Sequence, residues 1–337
     1  MTSMRKPFAE VSARTQARRL RGLAARALPA WGLTDASLRL LHHGYNTTFR
    51  VDAPDGRRFA LRVNVIPTKT EQHLRAEVAW LAALASETEL AVPTPQRTRE
   101  GRWAARIASP DHGRDLPVVL FSWLDGRNLG WRPRPRQLRA VGETMALLHN
   151  HAAGWRPPAD GALPLYDSVL TDLPNRLGDH PALNAAARAV LTTAHARAQE
   201  LQDQAFAADG AIPLHADLHG ANLKWHGGRL SVFDFDDAGR GVPALDLAIA
   251  AYYLRGDAAL DALRQGYAGL RSLPAVSAEV FEGMVAGRNL LLLDDLLEQQ
   301  NAELRGMIPG YVEASVRRLR SWLDTGRYRL DIAAASA

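Results

Sequence analysis

The sequence predicts an α+β chain built as two unlike lobes. Three observations predict it. Strand signals crowd into the first 125 of the 337 residues and nearly vanish afterwards. Long apolar stripes at helical spacing dominate from residue 126 onward. One polar stretch, His215–Asn222, followed by Val232–Asp237, interrupts those helices with short strands and carboxylates. The expected division is therefore residues 1–125, an N-terminal helix with a strand-rich lobe, and residues 126–337, a mainly helical lobe.

In chain order, residues 1–8 read as a loose terminus and Glu10–Leu28 as a helix. Leu20, Leu23, Ala24 and Leu28 share its apolar face, opposite Arg14, Arg18, Arg19, Arg21 and Arg26. The helix runs on through Pro29 into the folded part, so it reads as packed rather than as a cleaved targeting segment. Strands are expected at Leu38–Leu41, Thr47–Val51 and Arg58–Val65, with Asp55-Gly56 as a hairpin turn and Pro67 as the stop. A helix over Glu71–Leu84 follows. Val92–Pro95 reads as an extended break, and Gly101–Ile107 and Leu116–Trp123 as two further strands around a loop at Pro110–Gly113. The lobe is thus expected to be a small antiparallel sheet of five strands with one inserted helix. Beyond Asp125-Gly126, helices are expected at Arg136–His151, Pro181–Phe206, Ala244–Leu254, Asp257–Leu270, Ser277–Gln300 and Tyr311–Trp322.

Composition narrows the class. Hydrophobic residues make up 47% and charged residues 23%, which suits a globular chain with a full core rather than a disordered one. There is no cysteine, so neither a disulfide framework nor a thiolate zinc site is available. No apolar run approaches a membrane span. A cytoplasmic protein fits both observations. The net charge is +5, supplied almost wholly by scattered arginines, since Lys6, Lys69 and Lys224 are the only lysines. Without a basic patch interleaved with aromatics, nucleic-acid binding is not expected.

The chemistry is concentrated in the polar stretch. Asp217 and Asn222 lie five positions apart, and Asp234 follows the short strand Leu230–Phe233. An oriented carboxylate can take the proton of a hydroxyl as a phosphorus–oxygen bond forms. An amide oxygen is a hard, neutral ligand suited to magnesium, and a carboxylate at a strand end can bridge the metal to phosphates. Asp and Asn at this spacing also cap helices routinely, but the coupling to His215 and Asp234 favours chemistry. His215 reads as a positioning residue that hydrogen-bonds backbone. His219 could face phosphates or solvent. His-x-Asp-x-His also has metal-ligand spacing, and Asp234 and Asp236 could complete a hydrolytic metal site. Asp236 is divided evenly between a metal or acceptor contact and a loop cap. Asp246, in the first turn of a helix, reads as a dipole partner that ties that helix to the loop.

His-x-Asp-x-x-x-x-Asn, then Phe-Asp-Phe-Asp-Asp-Ala-Gly and Asp-Leu-Ala, resemble the aminoglycoside phosphotransferase-like superfamily, from about residue 38 to 300. Its members share the protein-kinase fold and include aminoglycoside, choline, homoserine and fructosamine kinases and a bacterial stress-response Ser/Thr protein kinase. The resemblance implies a bilobal protein-kinase-like fold, ATP as donor (GTP as an alternative) and Mg2+. It implies Asp217 as the catalytic carboxylate and Asn222 and Asp234 as metal ligands. Arg62, where protein kinases have Lys, would contact the α/β-phosphates with Glu77 as its acidic partner. His43–Thr48 occupies the phosphate-loop position with a single glycine, and Asn46 and Thr47 would offer donors there. Val119–Gly126 resembles the hinge, with the Ser122 carbonyl and Leu124 N–H meeting adenine and Trp123 packing on the helical lobe.

The acceptor is less defined. His219, Asp236 and Asp237 lie beyond the shared machinery and are the candidates for acceptor contact. A cationic acceptor would want acidic or aromatic walls, for which Asp236, Asp294, Asp295 and Glu298, and Tyr252, Tyr253 and Trp155, are candidates. A zwitterionic compound such as homoserine is equally compatible. The expected function is ATP-dependent transfer to a hydroxyl of a small molecule of the amino acid, amino alcohol, sugar or aminoglycoside type, with no nucleic-acid or membrane partner. A stress-response-like Ser/Thr protein kinase acting on a protein substrate is the alternative. A pseudokinase and a metallohydrolase rank below both.

Overall fold

The computed structural model describes residues 6–65, 69–171, 175–254, 256–299 and 302–330. Residues 1–5 of the expected loose terminus, Pro67 and Gln300 lie outside the described residues, as do residues 331–337.

The strand-rich half is one antiparallel sheet of six strands. These are β1 (Ser37–His43), β2 (Thr47–Asp52), β3 (Arg58–Val63), β4 (Pro95–Gln96), β5 (Ala105–Ser109) and β6 (Arg114–Ser122). They run in the order β1-β2-β3-β6-β4, and β5 also pairs with β6. The sixth strand is β4, where the sequence suggested only an extended break. Its Pro95 and Gln96 pair with Phe121 and Leu120 at the sheet edge, a position that tolerates proline's missing N–H. The strand expected at Gly101–Ile107 begins only at Ala105, because Gly101 sits at φ 79 in a turn closed by its N–H on the Thr98 carbonyl.

Alternation divides the sheet faces. Phe49, Val51, Leu61, Val63, Leu116, Val118 and Leu120 point to one side and pack under α1 (Ala13–Ala27), whose buried face includes Leu20, Leu23 and Ala24. Residues of the opposite parity, including Arg62, Val119 and Phe121, face the helical half. There α2 (Glu71–Glu87) buries Leu74, Val78, Trp80, Leu81 and Leu84 in the main core.

The helical half contains α3 (Pro135–Gly154), α4 (Ala185–Ala208), α5 (Pro243–Tyr253), α6 (Asp257–Ala268), α7 (Ala278–Leu297), a short α8 (Ala302–Gly306) and α9 (Ile308–Thr325). All but α8 were expected from periodicity. Helices α3 and α6 approach very closely at Gly142, where an added Cβ would stand 2.0 Å from the Leu263 carbonyl oxygen. Short strands are set among these helices. β8 (Ile212–Leu214) pairs with β11 (Gly239–Gly241), and β9 (Leu223–His226) pairs with β10 (Arg229–Val232) and with β7 (Arg127–Asn128). These two small sheets hold the polar stretch at the mouth of a cleft of 1510 Å³ between the halves. Among the described residues no helix is long and apolar enough to cross a membrane.

Candidate active site

The loop between β8 and β9 carries His215, Asp217, His219 and Asn222, and its shape is set from beneath by Asp246. From the first turn of α5, the buried Asp246 carboxylate accepts the Ala216 N–H at 2.7 Å and the His215 N–H at 3.2 Å. His149 of α3 donates to it from Nε2 at 3.0 Å, and Tyr267 donates to the other ring nitrogen at 2.9 Å. The His149 hydrogen bond holds Asp246 below the ordinary aspartate range although burial opposes this. Ala216 is thereby fixed at φ 62 and projects Asp217 into the cleft. A non-glycine residue in this region costs about 1–3 kcal/mol and persists only where its surroundings over-determine it.

His215 behaves as the positioning residue expected. It is fully buried, its Nε2 donates to the Phe233 carbonyl at 3.1 Å, and its Nδ1 accepts the Asp217 N–H at 3.3 Å. Burial depresses its pKa, which favours this neutral tautomer. The histidine thus ties the Asp217 loop to the segment that carries Asp234. Gly220 is needed where the loop meets residue 130, since a Cβ there would stand 1.8 Å from the Gly130 oxygen.

Asp217 is held at both oxygens. Asn222 Nδ2 donates to Oδ2 at 2.7 Å, with His219 Nε2 at 3.3 Å from the same oxygen. Arg288 of α7 donates to Oδ1. Because the Asn222 amide nitrogen is spent on Asp217, its Oδ1 is left for a cation. Asp234 sits at φ 69, past the end of β10, so strand alternation does not govern where Asp234, Asp236 and Asp237 point. The Asp234 side chain is 43% exposed into the cleft, 3.9 Å from Arg62 Nη1. Burial of the carboxylate among the cleft walls, then Asp236, pushes its pKa well above the ordinary range. Asn222, Asp217 and Asp234 line one cleft, and an amide oxygen with carboxylates is a set of hard oxygens that suits a divalent cation.

The strand-rich side supplies the counterpart. Arg62 on β3 and Glu77 on α2 are both buried and bonded at 2.7 Å, Glu77 being only 2% exposed. The sequence left open a plain surface glutamate; the structure excludes that. Burial pushes Glu77 upward, against the pull of Arg62. Asn46, at the β1–β2 turn, accepts the Val65 N–H at 3.0 Å and donates to Asp236 Oδ2 at 2.6 Å, so it bridges the two halves. Thr47 departs from expectation. It has the parity of Phe49 and Val51, is fully buried, and donates its hydroxyl to His43 Nδ1 at 2.8 Å, while the His43 Nε2 donates to Gln16 of α1 at 3.1 Å. Its side chain braces the turn from behind, and Thr48 lines the cleft instead.

At the hinge, Ser122 and Leu124 both line the cleft. The Leu124 carbonyl accepts Lys224 Nζ at 2.7 Å, and Trp123 lies under Lys224 and beneath Arg50 and Arg58. Trp123 therefore spans both halves rather than packing on the helical one alone.

The expected acceptor wall is partly corrected. Asp294 is fully buried, accepts the Arg176 N–H at 2.8 Å and pairs with the Arg176 guanidinium, so it is structural. Glu298 also pairs with Arg176. Tyr252 turns to Tyr311, and Trp155 packs on Trp80. Asp295, Glu298 and Tyr253 do line the cleft. Asp237 pairs with Lys69 at 2.9 Å, and Lys69 also donates to the Asp236 carbonyl at 2.6 Å. Lys69 holds Asp237 well below the usual range despite its burial. His219 stands in an aromatic group, stacked on Trp131 at 5.3 Å and packed on Tyr253 at 4.6 Å. Arg288, Trp131 and Lys69 were missed as site residues. A lone arginine inside the apolar run Met284–Leu293 was the available signal for Arg288. Among the described residues no group of three or more His, Cys, Asp or Glu side chains could hold a metal, so the hydrolytic metal site finds no support.

This arrangement has known counterparts. Residues 37–278 match the phosphotransferase enzyme family, and the chain belongs to that family. Its fold is kinase-like. It is similar to the microcompartment-associated aminopropanol kinase, with 26% identity and a TM-score of 0.78 over 92% of this chain and 99% of that one. The amicoumacin kinase hAmiN, solved in complex with AMP-PNP, Ca2+ and Ami, shares the fold at 16% identity and a TM-score of 0.70, over 88% of this chain and 92% of that one. A choline/ethanolamine kinase family protein from Mesorhizobium loti does so at 20% identity and a TM-score of 0.59, over 92% and 95% of the two chains. An uncharacterized protein of Deinococcus radiodurans is 32% identical over 235 residues, 67% of this chain. The match spans 65% of that relative's length.

Proposed function

We propose that the protein transfers the γ-phosphoryl group of ATP, with Mg2+, to the hydroxyl of a small ammonium-bearing alcohol. The observation that carries the reading is the convergence of Asp217, Asn222, Asp234 and the Arg62–Glu77 pair on one cleft. Asp217 would orient the acceptor hydroxyl and take its proton. Arg62 would hold the phosphates, and Ser122 and Leu124 would receive adenine. Asn222 Oδ1 and Asp234 would hold the metal, whose charge would offset that of the transferring phosphoryl group. A GTP donor would use the same parts.

Asp295 supports the ammonium. It lines the cleft from α7 and has no ion pair or side-chain hydrogen bond among the described residues. Tyr253 and Tyr45 line the same cleft and supply aromatic surface suited to a cation. The resemblance to an aminopropanol kinase points the same way. The test is a coupled ADP-release assay with a panel of amino alcohols, hydroxy amino acids, sugars, aminoglycosides and a Ser/Thr peptide mixture. Mg-dependent turnover with an amino alcohol is expected, and Asp234→Ala is expected to lose both turnover and the thermal shift produced by Mg–ATP. Preference for the peptide mixture would overturn the small-molecule reading.

A further inference from the structure

The element that reaches Asp217 from outside its own loop is α7, through Arg288. This side chain is 8% exposed and comes from a helix that otherwise buries Met284, Val285, Leu290 and Leu293. Its Nη2 donates to Asp217 Oδ1 and lies 3.2 Å from the Tyr253 hydroxyl. Its guanidinium lies over the Tyr253 ring at 5.9 Å. Tyr253 in turn packs edge-on against Tyr252 and against His219. The Asp217 carboxylate is thus held from two directions, by its own loop and by α7, while α5 holds the loop through residues 215 and 216.

We propose that Arg288 is a positioning residue, which fixes Asp217 by Oδ1 so that Oδ2 is the oxygen presented to the acceptor hydroxyl. This rests on the kinase reading above. The two oxygens have different company. Oδ1 meets a guanidinium, which never gives up its proton and cannot accept one. Oδ2 meets the Asn222 amide at 2.7 Å and the longer His219 contact at 3.3 Å. The His219 contact is the weakest and the one a hydroxyl displaces. In the transfer, the acceptor oxygen bonds to the γ-phosphorus as the bond from that phosphorus to the β–γ bridging oxygen breaks. ADP leaves with the electron pair. The hydroxyl proton passes to Asp217 Oδ2 and then to solvent. With little covalent work for the protein to do, holding one oxygen in place matters more than base strength. A misplacement of about 1 Å can cost about 100-fold.

The test uses full-length Arg288→Met, Arg288→Lys and Tyr253→Phe with Mg–ATP and 1-amino-2-propanol. Arg288→Met is expected to lower kcat about 100-fold with KM for ATP within about twofold and the Mg–ATP thermal shift retained. Arg288→Lys should recover about tenfold of that loss, since a point charge replaces a fork. Tyr253→Phe should lose only a few-fold. Should wild type not phosphorylate this alcohol, the amino-alcohol reading fails. The same variants then go to slow Mg–ATP hydrolysis, where water is the acceptor and the same kcat pattern is expected. Two results overturn the proposal: turnover of Arg288→Met within about threefold of wild type, or a raised acceptor KM with kcat unchanged. If Arg288→Met does not fold, Arg288→Lys decides: kcat equal to wild type overturns the assignment, and a selective kcat loss supports it.

Discussion

On the strand-rich side of the cleft, Arg62 is locked to Glu77 at 2.7 Å, both buried, and the pair faces Asp234. On the α7 side, Arg288 is spent on Asp217, Lys69 on Asp237 and Arg176 on Asp294 and Glu298, which leaves Asp295 without an ion pair among the described residues. The side proposed to bind nucleotide thus carries its charges pre-paired, as would suit one fixed ligand. The side proposed to bind the acceptor keeps one carboxylate that a cation would meet. The difference teaches that the shared reaction and the particular substrate are written in different parts of the cleft.

The comparison can be broken at several points. The largest effect is expected at Asp217, which serves both sides. Asp217→Asn should lower kcat by about 10²–10⁴-fold while Mg–ATP still shifts the melting temperature. Next is the locked pair. Glu77→Ala strands a buried Arg62 and should cost about 3–5 kcal/mol of unfolding free energy by urea titration, as expected for half of a buried pair. A cost under about 1 kcal/mol would mean that the pair is not closed off from water.

Asp246→Asn is expected to cost about 1–3 kcal/mol, because the buried His149, His215 and Ala216 donors lose a charged acceptor. It should also lower kcat, since these bonds shape the Asp217 loop.

The smallest effect concerns Asp295. Burial, then Asp237, raises its pKa to about 7, against Arg288 and Lys69, with Asp294 adding to the rise and Tyr45 close by. Between about pH 4 and pH 7 the native state keeps a proton that the unfolded chain has released, so this group's contribution to stability falls with rising pH and levels above 7. Asp295→Asn should therefore melt higher than wild type at pH 8 and equally at pH 4. In wild type, KM for a cationic acceptor should fall as pH rises through 7, and in Asp295→Asn it should stay flat. A pH-independent KM in wild type would remove Asp295 from the acceptor site.

What the sequence disclosed follows from how local each feature is. Asp217, Asn222 and Asp234 stand within 18 residues of one another, so spacing alone brought them forward. Arg62 and Glu77 were reachable because strand and helix lie next to each other in the chain. The register of β2 already placed Thr47 with Phe49 and Val51, so its inward side chain was legible but overlooked. Strand β4 was hidden by Pro93 and Pro95 and by its short length. Arg288 reaches Asp217 across 71 residues and Tyr253 across 35, through helix packing that no local pattern encodes. Likewise, nothing in Asp294-Asp295 distinguishes the buried partner of Arg176 from the carboxylate that faces the cleft.

The central claim is phosphoryl transfer to a small alcohol through Asp217. Phosphorus NMR of wild type with Mg–ATP and the amino-alcohol panel tests it most directly. A new phosphomonoester resonance is predicted, formed in step with ADP and absent with Asp217→Asn. ADP with only inorganic phosphate across the whole panel, or a phosphomonoester formed by Asp217→Asn at the wild-type rate, would contradict the account.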